Sequence, residues 1–260
     1  MQLKIYQADA FSGKVFSGNP AAIVPLEKWL PDELMQNIAL ENNLSETAFF
    51  VEETEGLRIR WFTPNAEVDL CGHATLAAAH IMFTEINWQS KTIEFNSRSG
   101  ILKVRKDSGL YWLDFPASPL NQVEIPKNLA SAFNSKASEC WRGRDDFMLI
   151  FDNEQTILSL NPDFTEILKS DCRGLIVSSP GSETDFVSRF FAPAVGVYED
   201  PVTGSAHTML IPYWSEKLEK NSLTAKQVSQ RSGFLKCIND GNRVKIGGMA
   251  VTYLKGTIKI

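Results

Sequence analysis

The segment Gly72-His73-Ala74-Thr75-Leu76-Ala77-Ala78-Ala79-His80-Ile81-Met82-Phe83 is built from helix-compatible residues and carries no formal charge on any face. A helix that is apolar all round has no side to offer to water, so the rest of the chain must enclose it. Its twelve residues rise only about 18 Å, well short of the roughly 30 Å hydrocarbon core of a bilayer. The enclosure must therefore be protein, and a short helix wrapped by sheet is the natural solution.

The same demand is made twice. Gly204-Ser205-Ala206-His207-Thr208-Met209-Leu210-Ile211-Pro212-Tyr213-Trp214 is a second uncharged segment, expected to bend or end near Pro212, where proline removes a helical hydrogen bond. Arg60-Trp61-Phe62-Thr63-Pro64 leads to Gly72, and Arg189-Phe190-Phe191-Ala192-Pro193 leads to Gly204, about half a chain further on. A repeat at that offset implies two tandem domains of one architecture. Pro116-Ala117-Ser118-Pro119 breaks the strand pattern between them, which sets the domains at 1–115 and 116–254.

Around these helices, short apolar or alternating runs read as strands: 3–11, 21–26, 47–52, 57–63, 92–95, 101–106 and 110–115 in the first half, then 147–151, 156–160, 174–178, 186–191 and 243–260. Asp107-Ser108-Gly109 marks a hairpin, because glycine tolerates the positive φ of a tight turn. Amphipathic helices are expected only over 31–43, 126–133 and 162–169. Too few for a parallel doubly wound sheet, they define an α+β class in which each domain is a barrel-like, mostly antiparallel sheet around a central helix.

Composition removes several functions. The 26 Lys and Arg against 31 Asp and Glu leave a net charge of −5, which speaks against a nucleic-acid partner. No run approaches the ~20 uncharged apolar residues of a membrane span, so no membrane partner is expected. The start lacks an export signal. The four cysteines at 71, 140, 172 and 237 form no CxxC pair, so reduced thiols in a cytoplasmic protein, and no metal, are expected. Neither a phosphate loop nor a dinucleotide glycine pattern is present; Gly247-Gly248 lacks the spacing of either.

Both central helices begin with glycine and small polar residues, and a helix start offers unpaired N–H groups and the positive end of a dipole. If the two starts converge, His73 and Ser205 with the amides of Gly72 and Gly204 could grip one carboxylate. Taken singly, each start is also what an ordinary helix cap looks like.

The motifs Asp9-Ala10-Phe11, Gly18-Asn19-Pro20-Ala21, Asn43-Leu44-Ser45-Glu46-Thr47-Ala48, Phe62-Thr63-Pro64, Cys71-Gly72-His73-Ala74-Thr75, Phe191-Ala192-Pro193 and Glu199-Asp200-Pro201-Val202-Thr203-Gly204-Ser205-Ala206 together resemble the PhzF-like phenazine-biosynthesis isomerases of the diaminopimelate-epimerase-like fold. In order and spacing they span nearly the whole chain. The resemblance implies that Glu46 is the acid/base and that His73 and Asp200 join it in catalysis. It places Asn19 nearby and lets Gly72, Gly204 and Ser205 bind substrate in a cleft between the domains. The last strand, over 255–260, is expected to return to the first domain as in that family. No cofactor is implied, a small carboxylic acid is the implied substrate, and a homodimer is the expected assembly.

The residues themselves add some support. Glu46 shares strand parity with Ala48 and Phe50, so a carboxylate enters an apolar strand, where desolvation raises a carboxyl pKa toward useful values. On residue type alone, Glu46 also fits a solvated strand edge, Asp200 before Pro201 an ordinary turn, and His73 a polar helix start. Cys71 is the alternative acid/base. Cofactor-free racemases of this fold place a cysteine before each helix-start glycine, and a helix N-terminus lowers a thiol pKa. The position matching Cys71 is Thr203, however, which cannot supply a second thiol. The expected reaction is an isomerisation by proton transfer; the alternatives are a racemase, epimerase or dehydratase acting alpha to a carboxylate, or a binding protein without catalysis.

Overall fold

Alternation over residues 3–11 does produce a strand, and the computed structural model, which describes residues 1–260, is dominated by such strands. The first compact unit comprises Met1–Asp114 with Gly247–Ile260, the second Phe115–Ile246. In the first, β1 (Gln2–Ala10), β2 (Asn19–Leu26), α1 (Asp32–Asn42), β3 (Glu46–Glu53), β4 (Gly56–Phe62) and the two-residue β5 (Glu67–Val68) lead to α2 (Gly72–Thr84). The hairpin strands β6 (Thr92–Ser97), β7 (Gly100–Asp107) and β8 (Leu110–Pro116) follow. The hairpin at Asp107-Ser108-Gly109 forms, with Ser108 at φ 51° and Gly109 at φ 82° and Asp107 opposite Leu110, the paired positive φ values of a type I′ turn.

The second unit runs through β9 (Asn121–Val123), α3 (Lys127–Ser131), β10 (Glu139–Arg142), β11 (Asp146–Ile150), α4 (Glu154–Ser159), α5 (Phe164–Ile167), β12 (Gly174–Pro180) and β13 (Phe186–Phe191) to α6 (His207–Leu218), then β14 (Ser222–Gln227), β15 (Gly233–Asp240) and β16 (Arg243–Gly248). Its pairing repeats that of the first. β1–β2 is antiparallel, β2–β3 parallel, β3–β4 antiparallel, β4–β6 parallel and β6–β7 antiparallel. The series β10–β11, β11–β12, β12–β13, β13–β14, β14–β15 alternates identically. Each parallel step needs a crossover, and the central helix occupies the second crossover of each unit, between β4 and β6 or between β13 and β14.

Both uncharged segments are enclosed, while the last turn of α6, with Glu216 and Lys217, reaches solvent. Every residue of α2 from His73 to Met82 is buried, and the helix touches β1, β2, β3, β7 and the final strand β17 (Ala250–Lys259). α6 lies against β14 and β15. Its Trp214 indole donates to Ser178 Oγ on β12 at 2.9 Å and stacks on Phe186 of β13, while the Tyr213 hydroxyl donates to Glu139 of β10 at 3.1 Å. The strand before each helix carries the same brace. Arg60 forks onto Glu67 at 2.7 and 2.8 Å and lies over the Phe62 ring; Arg189 forks onto Glu199 at 2.7 and 3.0 Å and lies over Phe191.

Four expectations change. α6 runs through Pro212 to Leu218, so of the expected bend or end the end does not occur. The carbonyl that loses its partner is that of Thr208, four residues back, and it accepts the Ser118 N–H at 3.1 Å, so the proline leaves no orphan acceptor. The regular helix also starts three residues after Gly204; His207, Thr208 and Met209 donate instead to the carbonyls of Gly204, Ser205 and Ala206 in tight i→i+3 turns. The expected strand 156–160 is instead α4, whose start is fixed by the Asn153 side chain accepting from Thr156 N–H at 2.9 Å; that cap outweighs the β-branched run. Finally, the return to the first unit begins at Gly247, not 255, because β17 pairs antiparallel with the whole of β1, from Ala250 opposite Ala10 to Lys259 opposite Gln2.

Candidate active site

Parallel pairing explains why distant motifs meet in the first unit. β2 and β3 run side by side, with Ala21 opposite Glu46, so Asn19 at the head of β2 and Glu46 at the head of β3 share one edge, and α2 begins there. Gly18 makes the entry possible. It holds φ 73°, and a Cβ on it would meet the Ala10 carbonyl oxygen at 2.2 Å. Buried Asp9 secures the preceding loop by accepting the Phe16 N–H at 2.9 Å. At the helix start, the Thr75 hydroxyl donates back to the Cys71 carbonyl at 2.5 Å.

Asn19, Glu46, Cys71 and His73 come together around one imidazole. Its Nδ1 lies 3.2 Å from the Asn19 amide nitrogen and 3.5 Å from the Cys71 sulfur. Its Nε2 lies 3.0 Å from Glu46 Oε2, the His73 and Glu46 side chains being 7% and 17% exposed. Burial opposes the imidazolium, but the hydrogen bond to the Cys71 sulfur and the charge and hydrogen bond of the Glu46 carboxylate favour it and raise His73 above its ordinary range. The lowered thiol on which the alternative role of Cys71 depends does not arise. Burial, then the Glu46 charge, push Cys71 up to about 11, against smaller opposing effects of His73 and the Ala74 amide, so desolvation beats the helix N-terminus and the group stays a neutral thiol near pH 7. The sequence also suggested no metal spacing. Yet Glu46, Cys71 and His73 each offer a ligand atom, all within 4.8 Å of one another, because a strand head 25 residues upstream folds onto a Cys-x-His pair.

The second unit gathers Asp200, Thr203, Gly204 and Ser205 with three residues that the sequence did not single out. The Thr203 hydroxyl donates to Asp200 Oδ2. Fully buried Gln227 clamps the same turn, accepting the Thr203 N–H at 2.8 Å and donating to the Asp200 carbonyl at 2.7 Å. Ser205 Oγ accepts from an Arg173 Nη at 3.1 Å. Arg173 is itself forked onto buried Asp146, its Nε at 3.0 Å, and lies over the Phe190 ring. Burial disfavours its charge, but the Asp146 hydrogen bonds more than compensate. What joins this pair is again parallel register: Asp146 heads β11 and stands opposite Gly174, directly after Arg173.

The remaining histidines serve the fold. His80 bonds Tyr111 Oη and Thr252 Oγ1, each at 2.9 Å, and His207 Nδ1 donates to the Thr203 carbonyl at 2.8 Å. All four cysteines are free thiols. No helix is long and apolar enough to cross a membrane.

Residues 8–256 match the phenazine biosynthesis-like protein family, PhzC-PhzF. The chain is 50% identical to an uncharacterized isomerase of Pseudomonas aeruginosa, with all of both chains covered, and 46% identical to another from Halalkalibacterium halodurans, with 99% of each covered. It superposes on the crystal structure of a PhzF-family phenazine biosynthesis protein from Enterococcus faecalis with TM-score 0.97, 46% identity and complete coverage of both. A hydroxyproline epimerase from Agrobacterium vitis shares the fold at TM-score 0.63 and 9% identity, over 99% of this chain and 92% of that one. The relatives thus make the chain an isomerase, on an α+β fold of the diaminopimelate-epimerase-like class. Within it, the chain belongs to the phenazine biosynthesis-like, or PhzF, family.

Proposed function

We propose that the protein is a cofactor-independent isomerase that moves a proton on a small carboxylic acid, with Glu46 as the group that takes and returns it. The observation that carries this reading is the 3.0 Å pairing of the Glu46 carboxylate with His73 Nε2 at the buried start of α2. A carboxylate there lies beside a group that balances its negative charge whenever it is ionised. Neighbouring amides of the first helical turn, Gly72 among them, favour negative charge developing on a substrate oxygen. Asn19 fixes the imidazole edge remote from Glu46.

In the second unit we assign Ser205 and Gly204 to the substrate carboxylate and Asp200 to the proton's return. Arg173 supports the first assignment. A guanidinium donating to Ser205 Oγ occupies the hydroxyl's lone pair and leaves its proton to be given to an acidic ligand. A two-thiol racemase is disfavoured by Thr203, whose hydroxyl is committed to Asp200, and by the high pKa of Cys71.

The test is proton exchange, once a thermal-shift screen of small cyclic and amino carboxylic acids has supplied a ligand that turns over. In deuterated water the wild type should wash label into substrate or product. Glu46→Gln, which keeps shape and polarity, should lower turnover and exchange at least about 10²-fold, as loss of a general acid–base group does, with ligand binding changed far less. Cys71→Ala should retain most of both. Full exchange by Glu46→Gln together with none by Cys71→Ala would transfer the reaction to the thiol.

A further inference from the structure

We propose that Glu46, Cys71 and His73 form a binding site for a zinc-class divalent cation, whose occupancy shuts off the proton-transfer site reversibly. The three donors differ in chemistry: a carboxylate oxygen, a thiol sulfur and an imidazole nitrogen, each presenting an atom within 4.8 Å of the other two. Bonds from zinc of about 2.0–2.2 Å to nitrogen or oxygen and about 2.3 Å to sulfur place tetrahedral ligands roughly 3.3–3.6 Å apart. One edge of the cluster is already close to that, 3.5 Å for Cys71 Sγ to His73 Nδ1 or 3.0 Å for Glu46 Oε2 to His73 Nε2, according to which imidazole nitrogen takes the ion. The other two edges are no longer than 4.8 Å, and side-chain rotation at Glu46, the most exposed of the three, with a turn of the imidazole, closes each by about 1 Å.

Donor type selects the ion. Thiolate with imidazole favours zinc or cobalt over magnesium or calcium, which prefer all-oxygen sites. Three protein ligands leave a fourth position for water or an acidic molecule. Binding expels the Cys71 proton, and the second imidazole proton where His73 is charged, to solvent. The backbone assists, since Cys71 is the N-cap and His73 the second residue of the same helix, so two of the three donors are preset and little freedom is lost on binding. The cation-binding claim stands on these donors alone; the shut-off rests on the proposed role of Glu46, because an ion holding that carboxylate and the imidazole leaves neither to move a proton.

Cobalt(II) titration of the full chain separates the two. Its readout is spectroscopic and needs no substrate, so a failure of the isomerase reading does not touch it. The wild type should show a saturable, one-to-one thiolate-to-cobalt charge-transfer band with tetrahedral ligand-field bands, displaced by zinc. Cys71→Ser should lose the charge-transfer band, Glu46→Gln should weaken binding by at least about tenfold, and Cys172→Ser, which removes a more exposed thiol, should leave the band in place. Circular dichroism of each variant establishes that it is folded. No saturable band in the wild type, a band that survives in Cys71→Ser, or one that disappears in Cys172→Ser would overturn the site.

Discussion

Three consecutive alanines on α2 offer a direct test of the enclosure on which the fold is built. Ala77, Ala78 and Ala79 are each 0% exposed, although successive residues of a helix point about 100° apart. Together they sample most of the circumference, and none reaches water. Adding three carbons to any of them by substitution with leucine must displace a neighbouring strand or force an off-rotamer side chain, which costs roughly 1–3 kcal/mol in a well-packed core. An ordinary amphipathic helix would instead accept leucine on at least one side. Here α1 supplies the comparison. Its Met35, Ile38 and Ala39 are buried, whereas Asn37 is exposed, so Asn37→Leu should stay within about 0.5 kcal/mol of wild type. Urea unfolding read through intrinsic tryptophan fluorescence, to which Trp61, buried in the same unit, contributes, is a suitable assay. With a slope of about 2–3 kcal/mol per molar, each leucine variant should move the midpoint down by about 0.3–1.5 M. If any one of the three stays within about 0.5 kcal/mol of wild type, that face has room, and the enclosed-helix argument is wrong.

Other consequences concern charge. Burial pushes His80 and His207 down to about 4, so the unfolded chain takes up protons near pH 6.5 that the fold refuses until about pH 4. Their stability contribution is full above pH 6.5 and is lost as pH falls through that window; a His80→Gln, His207→Gln double variant, if folded at pH 7, should show a flatter urea midpoint between pH 7 and 5. His73 behaves oppositely. Its raised pKa gives stability that is complete below about pH 6.5 and fades as pH climbs through the folded value, and Glu46→Gln should reduce that dependence. Arg173→Lys keeps the charge beside Asp146 but cannot reach both carboxylate oxygens and Ser205 at once. Steady-state kinetics should therefore show KM for the acid substrate rising about tenfold or more while kcat changes less, and a change confined to kcat would contradict the binding role.

What could be read from the sequence was local or repeated. An uncharged segment such as 72–83 constrains its surroundings wherever it occurs, and the recurrence of Arg-x-Phe before each Pro and Gly-led helix signals the duplication without any knowledge of pairing. Glu46, His73 and Asn19 were found through motifs; the parallel register of β2 and β3 is what brings them together. Asp146, Arg173 and Gln227 were invisible, because nothing near them in sequence mentions Ser205 or Thr203 and only the pairing of β11 with β12 joins the first two. Two local readings failed for identifiable reasons. The Asn153 cap won over β-branched residues, and an outside N–H from Ser118 rescued the carbonyl opposite Pro212, so the helix does not end there.

The closure of β17 onto β1 sets a timetable for synthesis. β1 pairs with β2 on one side and β17 on the other, and Ile260 N–H still reaches the Met1 carbonyl at 2.9 Å. A ribosome delivers the 132 residues of 115–246 as one uninterrupted stretch, so that unit has all its strands while still tethered. The unit whose first residue was made earliest waits longest, with one edge of β1 unsatisfied until 250–259 emerges. Domains made in order usually complete N-terminal first; here the order is inverted, and the open edge is where a nascent chain would be caught by a chaperone or by a second unfinished copy.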